Sequence, residues 1–178
     1  MSFRCVVTGH SETGKAIVVS ETPAAAISLE NLPGYEFHRL WGSDSVPTVP
    51  ARGTVPMTSN YFPPKGGFRF AYFSIPPGTH IAPPPADMAA LVAEVQLKLP
   101  GMAEVLEPEH LGMHTTDTVD YDVVLSGEAY LELDDGVEVL LKAGDCVIQN
   151  GTRHAWHNRS SQKCVIAVAL IGAERKEP

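Results

Sequence analysis

Cysteine, aromatic residues and positive charge are scarce in this sequence, and it contains no long hydrophobic run. Three cysteines in 178 residues, Cys5, Cys146 and Cys164, are too few and too scattered for a disulfide framework. Each has β-branched or apolar neighbours, so buried, reduced thiols are expected. The alternative concerns Cys146, which lies in the strand-like run GDCVIQ and could face an interior site as a soft ligand. Lys and Arg number 13 against 21 Asp and Glu, a net charge of −8 that argues against a phosphate-backbone partner, so nucleic acid is excluded. No apolar stretch approaches the ~20 residues of a membrane span, so no membrane partner is expected. The opening MSFRCVVTGH lacks the basic start and long apolar region of an export signal, and the expected location is cytoplasmic.

What remains is 44% hydrophobic and 19% charged, a balance that suits one globular domain over 1–178 with a single sizeable core. Residues 3–20 read as a hairpin, two β-rich runs around the turn SETGK. Residues 21–67 are rich in Pro and Gly, with short candidate strands at YEFHRLWG and VPMTSNYF, so 1–67 is expected to be a hairpin followed by a wrapping segment. A strand, FRFAYFSI, ends at a Pro-Pro-Gly turn. Over 85–107 the period changes: Met88, Leu91, Val92, Val95 and Leu99 recur at intervals of three and four. An amphipathic helix is predicted there, with Pro85 and Asp87 in its first turn and Pro100–Gly101 as its stop; MAEVLEP could add one more helical piece. Beyond residue 110, six short runs, from VDYDVVLSG to KCVIAVALIG, alternate with Gly, Asp, Asn or Ser breaks. Regular short strands with turn signals predict an all-β sandwich or closed barrel over 68–172, with the helix as an insertion.

Two stretches carry chemistry. In HTTDTVDYDVVLSG, strand alternation places His114, Thr116, residue 118 and Asp120 on one face. In GDCVIQNGTRHAWHN, a strand ending near Gln149 turns at Asn150–Gly151, and the next begins near His154, with Trp156 and Asn158 on its face. If neighbouring strands bring His154 opposite His114 and Asp120, two imidazoles and a carboxylate share the interior. Such a set suits Fe, Mn, Ni, Co or Zn and leaves positions open for water or substrate. A His–Asp pair alone would be only a hydrogen-bonded interior pair.

These stretches resemble the two motifs of the cupin superfamily. Gly112, His114, Thr116, Asp120 and Gly127 stand in the register of Gly, His-x-His, Glu and Gly; Gly144, Gln149, Gly151, His154 and Asn158 stand in that of Gly, Pro-x-Gly, His and Asn. The resemblance covers roughly residues 68–172 and is closest to small single-domain cupins. It implies a double-stranded β-helix, or jelly-roll, barrel, often dimeric, so a homodimer is expected. It also implies a divalent transition metal (Fe, Zn, Mn or Ni) on His114, Asp120 and His154. Thr116 replaces the second motif histidine and opens a coordination position, while Asp120 is one methylene shorter than the usual Glu. The implied function is a metal-dependent enzyme acting on a small polar organic molecule: a dioxygenase, decarboxylase, isomerase, hydrolase or lyase. The alternative is a non-catalytic module that binds a small molecule with or without metal.

Around this set, Thr116 reads as a nearby hydroxyl or space filler, and Gln149 as an amide beside the site. Trp156, Phe70 and Tyr72 are candidates for the cavity wall. Asp122 shares the parity of Asp120 and would be costly to bury unpaired, so a bulge or a polar partner is expected there, with a general acid or base as the alternative. Asp117 and His157 should face outward, and His10, His38, His80 and His110 read as surface histidines. The helix could cover the barrel mouth or contact a neighbouring subunit.

Overall fold

A computed structural model of the chain describes residues 3–51, 58–79 and 86–176. Strands β1 (Arg4–His10) and β2 (Ala16–Pro23) pair antiparallel as the expected hairpin. After β3 (Ile27–Ser28) and β4 (Glu36–Ser43), β5 (Phe68–Ile75) leads to α1 (Met88–Lys98). Six strands follow: β6 (Thr118–Ser126), β7 (Glu128–Glu132), β8 (Glu138–Lys142), β9 (Cys146–Asn150), β10 (Ala155–His157) and β11 (Cys164–Gly172).

Nine of these strands build two sheets, one in the order β3-β4-β5-β11-β6-β9 and one in the order β10-β7-β8. Neighbouring strands in both are antiparallel. The sheets pack face to face through Ile75, Val124 and Ile166 from one and Ala129, Leu131 and Leu141 from the other. This is the jelly-roll barrel. The segment 21–67 contributes more than wrapping, because β4 extends the large sheet by pairing with β5. The second candidate strand there is not formed over residues 58–62, and residues 55–57 lie outside the described residues.

At the corner between β6 and β7 the chain turns on Gly127, with φ +74; a Cβ there would lie 2.6 Å from the carbonyl oxygen of Lys163, so no side chain fits. Asn158 is wholly buried and fastens the end of β10. Its Nδ2 donates to the carbonyls of Ile75 and Gln162, and its Oδ1 accepts from the Ser160 backbone and hydroxyl. Such a fully bonded amide replaces the water that a buried polar group would otherwise need.

Helix α1 starts at Met88, and Asp87, expected inside its first turn, is instead the extended residue that caps it: its carboxylate accepts from the Ala90 N–H at 2.9 Å. Pro85 lies outside the described residues. Leu91, Val95 and Leu99 form its buried stripe and pack on Leu29, Ala71, Val168 and Leu170, whereas Met88 and Val92 are exposed. The helix therefore closes over this chain's own barrel. Glu94 docks it from the side, accepting from the backbone N–H groups of Glu30 and Asn31 and from Lys98. These bonds, with Lys98 the strongest, hold the Glu94 carboxyl down at about 2. No further helical piece forms over 102–107; the chain makes turns and then bridges through Leu106 to His114. Among the described residues, no helix is long and apolar enough to cross a membrane.

Candidate functional site

Strand β6 holds the centre of the site because β11 flanks it on one side and β9 on the other. Its alternation is strict: Thr118, Asp120, Asp122 and Val124 are buried, while Tyr121 and Leu125 are exposed. Upstream, His114 and His154 form a two-way backbone bridge, each donating its N–H to the other's carbonyl at 2.9 and 3.0 Å. Their rings lie 4.2 Å apart, and Trp156 meets His154 edge-on at 6.1 Å.

Each imidazole is oriented by its own turn. His114 Nδ1 lies 2.9 Å from the Gly112 carbonyl, and His154 Nδ1 lies 2.9 Å from the Thr152 carbonyl. A carbonyl only accepts, so both Nδ1 atoms carry the proton and both Nε2 atoms keep a lone pair. Burial holds both rings neutral. It lowers His114 and, aided by the nearby His114, brings His154 down to about 4.

The carboxylates behave in the opposite way. Asp120 and Asp122 are each 5% exposed, and Oδ1 of the first and Oδ2 of the second have no hydrogen-bond partner. Desolvation raises Asp120 to about 6, opposed by the Thr118 hydroxyl. Desolvation, reinforced by Asp120, raises Asp122 to about 8.

His114, Asp120, Asp122 and His154 all line one cavity of about 460 Å³, within the range of small-molecule sites. Its walls are apolar: Leu91, Val95 and Leu99 from α1, Val168 and Leu170 from β11, and Phe73 from β5. Trp156 lines it as expected. Phe70 and Tyr72 do not. They share the outward parity of β5, where Tyr72 packs on Phe3 and Phe70, and Phe70 is 40% exposed. Phe73, on the inward parity, takes the position expected of them, and Tyr35, Phe37 and Tyr61 add aromatic wall from outside the recognised motifs. Nothing in the local sequence marks Tyr61 as part of the site, since it comes from an irregular segment.

Other expectations change. Asp122 sits on no bulge, and among the described residues its Oδ2 has no partner: β6 pairs regularly there with Val168 and Val147, and the irregularity between β6 and β11 falls between Val165 and Ile166. His157 does not point freely outward. It is half-buried, lies 2.6 Å from Glu132 and reaches the cavity wall, because β10 is only three residues long and does not sustain strict alternation. His38 is buried rather than at the surface, with Nδ1 on the Ala24 carbonyl and its ring against Phe3. His10 and His110 are exposed, and His80 lies outside the described residues. Of the cysteines only Cys164 is buried. Cys5 is half-buried, and Cys146 faces solvent because Val147 and Gln149 carry the inward parity of β9.

Thr116 is buried with its hydroxyl on that of Thr118 at 2.8 Å. Gln149 lies beside Asp120 across the ladder, its Oε1 accepting from Thr152, and its Nε2 has no partner. Asp117 is exposed and pairs with Arg175.

The donor chemistry of the two imidazoles fits a metal, since both Nε2 atoms are free. The geometry does not complete a site. Among the described residues, no three His, Cys, Asp or Glu side chains converge closely enough to hold an ion.

Residues 103–170 match the family model of the cupin domain. Over 48 residues, 27% of this chain and 25% of the relative, the sequence is 54% identical to phomopsin biosynthesis cluster protein C' of Diaporthe leptostromiformis. Over 57 residues, 32% of each chain, it is 49% identical to oryzines biosynthesis cluster protein J of Aspergillus oryzae. A third relative, from Hypocrea virens, is named cupin-domain-containing oxidoreductase virC; it is 39% identical over 46 residues, 26% of this chain and 24% of the relative. The matches thus span about a quarter to a third of these relatives' length.

Proposed function

The chain belongs to the cupin superfamily through residues 103–170, and from that premise we propose that its barrel binds a small, largely apolar organic molecule by a polar head. The observation that carries this reading is the cavity itself: about 460 Å³ with apolar walls, lined also by His114, His154, Asp120 and Asp122, the two aspartates each with a carboxyl oxygen that has no partner among the described residues. A packed interior with no ligand to receive would fill such a volume with side chains, since protein cores are close-packed.

The test is titration with N-phenyl-1-naphthylamine, a neutral apolar fluorophore. One molecule should bind per chain, with Trp156 emission quenched. Val168→Phe, which pushes a ring into the cavity, should weaken binding about tenfold or more. Binding that is unsaturable, or indifferent to Val168→Phe, would exclude the cavity as the site.

A second reading is favoured by the tautomers of His114 and His154, whose paired Nε2 lone pairs face the same space. On it, His114, His154 and Asp120 would hold a divalent transition metal, and the protein would be a metal-dependent enzyme. A bound ion would supply Lewis-acid or oxygen-activating chemistry. Thr116, without a ligating nitrogen, leaves one coordination position open. Elemental analysis of purified protein decides: this reading expects near-stoichiometric metal, lost in His154→Ala and kept in His157→Ala. Less than about a tenth of an equivalent, with no gain on reconstitution, ends it.

A further inference from the structure

The floor of the cavity is rich in acceptors and lacks a cation. Asp120, Asp122, His114 and His154 line it, the two imidazoles with Nδ1 taken by carbonyls and Nε2 left as the acceptor, and among the described residues none of its lining side chains is Lys or Arg. Tyr61 is close enough for both carboxylates to disfavour its ionisation, yet it donates a hydrogen bond to neither. Gln149 is the cross-strand neighbour of Asp120, but its amide nitrogen is itself without a partner. Asp122 lies outside the residues that carry the family resemblance, two positions beyond Asp120 on an unbroken strand. An apolar residue there would face Val168 and Phe73 without penalty. The chain instead bears the cost of burying a carboxyl with an unsatisfied oxygen.

Resting on the ligand-binding reading above, we propose that Asp122 and Asp120 together hold the ammonium group of a small amine, whose apolar body lies along Phe73, Val168 and the inner stripe of α1. An ammonium offers three N–H donors and no acceptor, the complement of a floor made of oxygen acceptors and nitrogen lone pairs. Its charge also favours the ionised form of both carboxyls, which burial in the empty cavity disfavours. A hydrated metal ion would satisfy the charge but not the apolar wall beyond it, and the side chains do not converge as metal ligands.

The experiment is calorimetric titration of the full chain at pH 7 with 4-phenylbutylamine, 4-phenylbutan-1-ol and 4-phenylbutanoate. The amine should bind about tenfold or more tighter than the alcohol, and the carboxylate weakest. Asp122→Asn should erase the amine's advantage while leaving the alcohol's affinity within about twofold. Its folding is checked by melting, where the unliganded variant should be the more stable protein. If the alcohol binds as tightly as the amine, the amine assignment fails while the ligand-binding reading stands. It fails equally if the preference survives in both Asp122→Asn and Asp120→Asn, or if stoichiometric Mn²⁺ displaces the amine. If none of the three compounds binds at millimolar concentration, both readings fall together.

Discussion

The imidazole pair and the carboxylate pair look into the same cavity but are held in contrasting ways. His114 and His154 come from turn-flanking positions, and each is fixed by a hydrogen bond to a carbonyl two residues back and by the other's backbone. Asp120 and Asp122 stand on a stretch of β6 that pairs regularly with β11 and β9, and among the described residues Asp120 Oδ1 and Asp122 Oδ2 have no partner. Burial keeps the imidazoles neutral while each Nδ1–H retains its carbonyl partner. The same burial leaves each carboxyl with an oxygen that no described residue serves. The histidines are tied into the framework by their own backbone and turns; the aspartates are buried at a cost to folding that the proposed ligand would relieve.

Substitutions should separate the two pairs. The largest effect is expected for His154→Ala, which leaves the Thr152 carbonyl without its donor and opens space against His114 and Trp156. A loss of about 2–4 kcal/mol in urea unfolding is expected. Asp122→Leu should move stability the other way, a gain of about 1–3 kcal/mol in the same assay, because it removes an unsatisfied buried group. A loss there would mean that Asp122 has a structural partner and that the contrast is false.

The pH response should carry the same signature with opposite signs. The folded chain holds the Asp122 proton up to about pH 8, against an ordinary value of 3.8, so this group's stabilising contribution is full below pH 3.8 and is lost as pH rises through 8. His154, brought down to about 4 from 6.5, contributes above pH 6.5 and loses that contribution as pH falls through 4. Between pH 6.5 and 8.5 the melting temperature should therefore fall, and Asp122→Asn should flatten that slope. The smallest effect is expected at the rim: Glu132→Gln weakens the half-exposed pair with His157 by less than about 1 kcal/mol. A larger loss would move His157 from the rim into the framework.

Much of this arrangement is legible along the chain. Strict alternation in VDYDVV places Asp120 and Asp122 on one face, and the structure keeps that parity. A bulge or a polar partner is expected at Asp122 only because an unpaired buried carboxyl is costly, and regular strand pairing outweighs that cost. The apolar intervals of α1 select Leu91, Val95 and Leu99 as its buried stripe. β5 was less readable: FRFAYFSI has aromatics on both faces, so period alone could not choose Phe73 over Phe70 and Tyr72. Tyr61, from an irregular segment, has no period to read at all.

What the sequence determines by itself is local: strand period, turn glycines, the helix cap at Asp87, and the spacing that puts His114, Asp120 and His154 in one register. Each follows from backbone geometry over a few residues. Only the tertiary structure decides which face of a two-sided strand is the inside and what α1 covers. It also decides that two imidazoles find carbonyl partners while Asp120 and Asp122 each keep an oxygen with no partner among the described residues. Those outcomes depend on distances between segments far apart in the chain, set by how two sheets and a helix close on one another.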